Sequence, residues 1–189
     1  MIEMSHDEIN RLLADTLIGR LAMSDRVGRP YVIPLPFCWA DNALYLRLPL
    51  SGRKGEVLKE NNRVCFEVDC FTADLSDYAS VLIEGRLESV SELLEKTRIK
   101  TLNEQKYNRL RNGNRPGHGR STPLEALPMQ KIQVGRISGR KKSAEVFNGF
   151  VASQSKEKFD ECPVTCSGSL SGDDAARTLV RVSAGASGF

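Results

Sequence analysis

Residues 28–69 read GRPYVIPLPFCWADNALYLRLPLSGRKGEVLKENNRVCFEVD. No other stretch constrains the fold as tightly, because strand, turn, strand, basic turn, short helix and strand follow one another with no room for long connections. The apolar runs 31–39 and 43–48 flank the turn formers Asp41 and Asn42 and predict a β-hairpin. Ser51-Gly52-Arg53-Lys54 then opens a short helix over 55–61 whose Val57 and Leu58 can face a core. A helix start leaves backbone N–H groups unpaired and favours an anion. Gly52 allows close approach there, and Arg53 and Lys54 add charge, so the turn reads as a phosphate site. Read alone, the same four residues also fit a solvated Arg-Lys pair at a helix end.

Ser5 with Glu8 forms a capping box for an N-terminal helix carrying Ile9, Leu12 and Leu13. Strands are expected over 17–24, 30–39, 43–48, 63–69, 78–90 and 129–137, with a turn at 26–29 and a polar loop at 72–77. Pro34 and Pro36 cannot donate to a ladder, which puts the second strand at an edge or against something other than a neighbouring strand. Ser89 with Glu92 offers a second capping box for a helix over 92–107 carrying Leu93, Leu94 and Leu102. Residues 109–128 hold Asn112-Gly113-Asn114, Pro116-Gly117 and Pro123 and read as a mobile loop or flap. Six strands with interspersed helices fit a small β-barrel in an α+β setting. Residues 150–189, rich in Ser, Gly and Ala with one strand-like piece at 178–182, read as a C-terminal extension, an arm or partly disordered segment, after a domain spanning 1–149.

With 189 residues the chain is long enough for one real core, and its formal net charge of +3 calls for no nucleic-acid partner. The N-terminus is polar and acidic, and no run is long enough to span a bilayer, so a cytoplasmic protein without membrane contact is expected. Five cysteines, an odd number, suit free thiols in a reducing compartment; Cys162 and Cys166 lack C-x-x-C spacing. Only two histidines occur, His6 and His118, far apart in sequence, so no metal site is expected.

The order of these pieces resembles the pyridoxamine 5'-phosphate oxidase-like flavin-binding split barrels, nearest to the nitroimidazole-reductase-related and general-stress branch. The resemblance runs from about Leu17 to Arg140 through Gly19-Arg20-Leu21-Ala22, Gly28-Arg29-Pro30-Tyr31, Gly52-Arg53-Lys54, Asn62-Arg63-Val64-Cys65-Phe66-Glu67-Val68 and Ser80-Val81-Leu82-Ile83-Glu84-Gly85-Arg86. It implies an α+β fold, a six-stranded Greek-key split β-barrel with peripheral helices, binding FMN as a homodimer with the flavin at the interface. By the same resemblance Arg53 and Lys54 hold the flavin phosphate, with Ser51 and Gly52 supplying hydroxyl or backbone donors. Ile33, Pro34, Leu35 and Pro36 line the isoalloxazine with Leu46 and Arg47 of the facing strand, and Ser80 lies near the cofactor. Arg20 reads as a structural ion-pair residue.

Two departures narrow the activity. Nitroimidazole-reductase relatives commonly carry His where this chain has Arg47, which cannot shuttle a proton near neutral pH. The C-terminal Trp- and Arg/His-bearing motif of true pyridoxamine-phosphate oxidases is missing, since the only Trp is Trp39, so vitamin B6 oxidation is not expected. No side-chain catalytic residue is expected, because a flavin does the chemistry while the protein binds and orients it. The expected activity is an FMN-dependent oxidoreductase passing electrons from a reduced nicotinamide-type donor to a small, anionic or carbonyl-bearing acceptor. The alternatives are a non-catalytic flavin-binding or storage protein and a haem-binding split barrel with His118 as axial ligand.

Overall fold

The computed structural model describes residues 1–110 and 123–142. The expected extension at 150–189 with its strand-like piece, Cys162, Cys166, His118 and most of the expected flap lie outside the described residues. In chain order the elements are β1 (Ile2–Glu3), α1 (His6–Asp15), β2 (Ile18–Ser24), β3 (Pro30–Ala40), β4 (Ala43–Arg47), α2 (Gly52–Glu60), β5 (Arg63–Phe71), β6 (Tyr78–Ser89), α3 (Leu93–Leu110) and β7 (Met129–Lys141).

Strands β2 to β7 pair antiparallel in the order β7-β4-β3-β2-β5-β6, and the β6–β7 pairing closes the barrel; β1 extends β7. The chain runs β2-β3-β4 as a meander and then returns to lay β5 beside β2, which is the Greek-key step. The expected α+β split barrel with peripheral helices is thus the fold. Alternation explains the closure, since on β2, β5 and β6 every second side chain enters the interior. Inside, Phe37 and Phe66 meet edge to face with ring centroids 5.2 Å apart, among Leu21, Leu44, Leu46, Val68, Val81, Ile83 and Ile132.

The turns and caps follow their residue types. Asp41 and Asn42 both take positive φ, +50° and +56°, as a two-residue hairpin turn of type I′ requires. Ser5 and Glu8 form the expected capping box: Glu8 N donates to Ser5 Oγ at 3.3 Å and Ser5 N to Glu8 Oε2 at 2.9 Å. The buried Ile9, Leu12 and Leu13 bring α1 onto the barrel.

α3 departs from expectation. Leu93 and Leu94 are exposed; of the three expected leucines only Leu102 packs inward, beside Ile99 and the stems of Lys96 and Lys106. Lys96 Nζ donates to the Glu125 carbonyl at 3.2 Å and Lys106 Nζ to the Leu13 carbonyl at 2.9 Å, so long aliphatic stems with hydrogen-bonded heads replace an apolar stripe. Ser89 closes no second capping box; it ends β6, and its hydroxyl donates to Gln130 Oε1 at 2.9 Å.

Candidate functional site

β3 is split between two neighbours. Residues Pro30 to Pro36 pair with β2, whereas only Phe37 to Ala40 pair with β4. The half that carries Pro34 and Pro36 therefore has a strand on one side only, as residues without an N–H require. β4 leaves the sheet after Arg47, and Leu48 N is held by the Pro128 carbonyl at 2.8 Å. The chain then turns through Leu50 into α2, which starts at Gly52, three residues earlier than the spacing predicts.

That early start puts Gly52, Arg53 and Lys54 inside the first helical turn, with Ser51 as N-cap. The Ser51 side chain makes no capping bond, so it leaves the N–H groups of the turn to another acceptor. Gly52 has φ +63°, a conformation that suits glycine. At Gly55 an added Cβ would lie 2.5 Å from the Leu50 carbonyl oxygen, so the helix is pressed against the backbone of its own leading loop. Val57 and Leu58 anchor the far side in the barrel core. The Arg53 guanidinium lies over the Tyr31 ring, 4.7 Å from its centroid, and this contact ties the helix start to the first residues of β3. A helix N-terminus without a side-chain cap, one exposed guanidinium and one half-buried ammonium make a donor set for a phosphate dianion. This donor set fits the phosphate of a flavin nucleotide.

The remaining expected site residues divide by face. Pro34, Pro36 and Arg47 lie on the outer face of the barrel and are exposed. Leu35 and Leu46 point into the core and Ile33 packs against it, so a ligand on the outer face would meet their backbone and not their side chains. Ser80 is outward and half-buried on β6, opposite Asp69 of β5 and Arg140 of β7, with β2 and β5 between it and the proline half of β3. The structure therefore gathers Ser51 to Lys54 at the start of β3 and sets Ser80 apart.

On the outer face between them, Arg20 donates to Glu67 Oε2 at 2.9 Å and to Asp69 Oδ1 at 2.6 Å, as its reading as a structural ion-pair residue anticipates. Both carboxylates and their hydrogen bonds hold its pKa above the usual arginine value. Tyr31 and Gly55 are the two contributors that sequence reasoning missed. Each acts through a partner far away in sequence or through a packing distance, and neither leaves a motif.

Residues 5–141 match the family described as Pyridoxamine 5'-phosphate oxidase. The chain belongs to this family. Among curated proteins no match is found. Solved structures of the same fold include a FAD-binding protein from Mesorhizobium loti, 28% identical, covering 75% of this chain and 98% of that one with a TM-score of 0.55. A protein from Bacteroides thetaiotaomicron assigned to 5-nitroimidazole antibiotic resistance is 21% identical over 74% of this chain and 86% of that one, with a TM-score of 0.58. The FAD-binding protein from Mycobacterium smegmatis is 16% identical over 75% and 98%, with a TM-score of 0.55. In this member of the pyridoxamine 5'-phosphate oxidase family, the matched span takes in the barrel and the whole helix start with its leading loop, from β4 to α2. Among the described residues no helix is long and apolar enough to cross a membrane.

Proposed function

We propose that this chain is a cytoplasmic FMN-binding oxidoreductase that passes electrons from a reduced nicotinamide-type donor to a small acceptor. The observation that carries the reading is the helix start. Arg53, stacked on Tyr31, and Lys54 flank N–H groups that Ser51 leaves uncapped, beside a stretch of β3 with no strand along its second edge. The family match and the Mesorhizobium loti relative named for FAD support a flavin as the phosphate's owner. When bound, FMN supplies two-electron redox chemistry. The chain's own part is to hold the phosphate at Ser51 to Lys54, with the exposed Pro34 and Pro36 on the neighbouring outer face.

A homodimer belongs to the same reading. Ile18, Val32, Leu82 and Phe71 are exposed on the outer faces of β2, β3, β6 and β5, as are Pro34 and Pro36, interspersed with the Arg20 ion pairs and with polar residues such as Ser80 and Glu84. A second copy of the chain would cover these exposed apolar residues.

The test is flavin retention. Purified protein is expected to carry FMN, identified against FAD by the mass of the released cofactor. Replacing Arg53 and Lys54 together by Ala removes two charge-assisted contacts of roughly 1.5–3 kcal/mol each and is expected to weaken binding by about two orders of magnitude or more. A double variant with unchanged FMN affinity would remove the phosphate assignment. Bound FMN without reoxidation by any acceptor would favour the storage alternative. Light scattering at micromolar concentration should give twice the 21.0 kDa chain mass.

A further inference from the structure

Two arginines face each other across the sheet. In the β5–β6 register Arg63 stands directly opposite Arg86, and both are exposed on the outer face of the barrel. Like charges in directly opposed positions destabilise a sheet, so the pair is a cost to the fold unless something negative lies between them. Nothing in the chain does so. Among the described residues neither guanidinium makes an ion pair or a hydrogen bond with a carboxylate.

Both arginines line an open groove of about 920 Å³ that crosses from the end of β2 over β5 and β6 to β7, a volume within the range of small-molecule sites. Three arginines and one carboxylate line it. Arg136 and Glu84 approach each other to 3.9 Å and offset one another, so the excess of positive charge is that of Arg63 and Arg86. A bulge opens the far wall: Glu84 faces Arg136 and Gly85 faces Val134, which makes Gly135 the extra residue of β7, and it brings no side chain into the groove. Gln133, opposite Arg86 on β7, adds an exposed amide to the lining. At the β2 end Asn61 Nδ2 donates to the Ser24 carbonyl at 3.1 Å and fixes the rim. None of Ser51 to Lys54 lines this groove.

We propose that this groove is a second anion site, separate from the flavin site, and that it binds a phosphomonoester whose phosphate lies between Arg63 and Arg86 and whose organic body runs toward Gly135 and Gln133. The choice of phosphate follows from the donors. A planar carboxylate is satisfied by the fork of one guanidinium, whereas a phosphate group offers three terminal oxygens and close to two negative charges, which suits two guanidiniums reaching in from facing strands. The ligand then removes the repulsion that the empty sheet bears.

The test titrates phenyl phosphate, and phenyl sulfate as its monoanionic counterpart, into isotope-labelled full-length protein at about pH 7.5, where the phosphate ester is largely dianionic. Amide shifts at residues 63–65, 84–86 and 133–136 locate binding in the groove and give its dissociation constant, while shifts at 51–55 report the proposed flavin-phosphate turn separately. Phenyl phosphate is expected to bind in the groove at least about fivefold tighter than phenyl sulfate. Arg86→Gln removes one set of charge-assisted bonds and should weaken it by about tenfold or more. Arg63→Glu turns the like-charged pair into an opposed ion pair, so it should abolish the groove shifts while the thermal midpoint stays level or rises. Should Arg63→Glu lose stability instead, the neutral Arg86→Gln decides, and an unchanged constant there overturns the site. Equal affinities for the two esters, or groove shifts that survive Arg63→Glu, would overturn it as well. Phenyl phosphate shifts confined to residues 51–55 would also do so, and would leave the flavin reading standing.

Discussion

The guanidinium of Arg53 stacks on the ring of Tyr31, 4.7 Å from its centroid, and so joins the start of α2 to the start of β3 across 22 residues of chain. The ring faces one side of a cation that the proposed phosphate would meet on another, so Tyr31 sets where the charge stands. Cation–π contacts at exposed sites contribute about 0.5–1 kcal/mol. Tyr31→Leu is therefore expected to raise the FMN dissociation constant by about two- to fivefold in an equilibrium titration, while Tyr31→Phe, which keeps the ring, should stay near wild type. Equal losses in both variants would trace the effect to the hydroxyl and not to the stacked ring.

Gly55 offers a sharper test of how the proposed phosphate turn is built. An added Cβ would meet the Leu50 carbonyl oxygen at 2.5 Å and its carbon at 2.7 Å, both backbone atoms that no side-chain rotation can clear. Gly55→Ala must push α2 away from residues 48–51 and with it the N–H groups of the helix start. Overpacking of this kind costs about 1–3 kcal/mol. Thermal unfolding should show that loss, and FMN affinity should fall with it even though no charged group has changed. A variant of wild-type stability and affinity would mean that the loop yields freely.

Much of this arrangement was legible in the chain. Asp41-Asn42 fixed the hairpin through turn chemistry, the pair Ser5 and Glu8 marked the first helix, and Ser51-Gly52-Arg53-Lys54 marked the basic start of the second helix, because each of these signals is local. Pro34 and Pro36 predicted the missing neighbour along β3 for the same reason, since a residue without an N–H announces its own gap. Long-range packing left no such trace. Leu93 and Leu94 read as core but stand exposed, whereas Lys96 and Lys106 are buried through stems and carbonyl bonds that only the folded chain supplies. The groove that holds Arg63 and Arg86 was equally hidden, because it exists only where β5, β6 and β7 lie side by side.

Arg20 stands at the centre of the proposed dimer face. It holds Glu67 and Asp69 together on β5, two carboxylates on the same face of the strand that would otherwise repel each other. In the exposed monomer such a cluster adds little to stability, about 0–1 kcal/mol. Covered by a second copy, the two carboxylates would be stranded without the arginine, and desolvation would make that costly. Arg20→Met is thus expected to leave monomer unfolding nearly unchanged and to weaken self-association by at least about tenfold in sedimentation velocity. A dimer of unaltered affinity would place the interface elsewhere.

Lys106 gives the protein a stability profile with a predictable sign. Its ammonium is buried beneath α3, 3.8 Å from the Phe37 ring centroid, and donates to the carbonyls of Leu13 at 2.9 Å and Phe37 at 3.3 Å. Burial nevertheless pulls its pKa from 10.5 down to about 8, with Arg109 adding to the shift and Cys38 and Asp15 opposing it. Below about pH 8 the amine is protonated in both folded and unfolded chains, and the folded state bears the full cost of the buried charge. Between about pH 8 and 10.5 the folded protein has released the proton while the unfolded chain still holds it, so this group makes stability rise with pH across that window. The gain is at most about 3 kcal/mol, and the carbonyl bonds and the ring, which favour the ammonium, reduce it. Lys106→Met keeps an unbranched stem without the titrating head. The stability difference between wild type and this variant, measured by urea unfolding from pH 7 to 10, should shift in favour of the wild type as pH increases. A difference that stays flat across the range would show that Lys106 holds its proton to its ordinary pKa, its charge fully compensated by the two carbonyls and the ring.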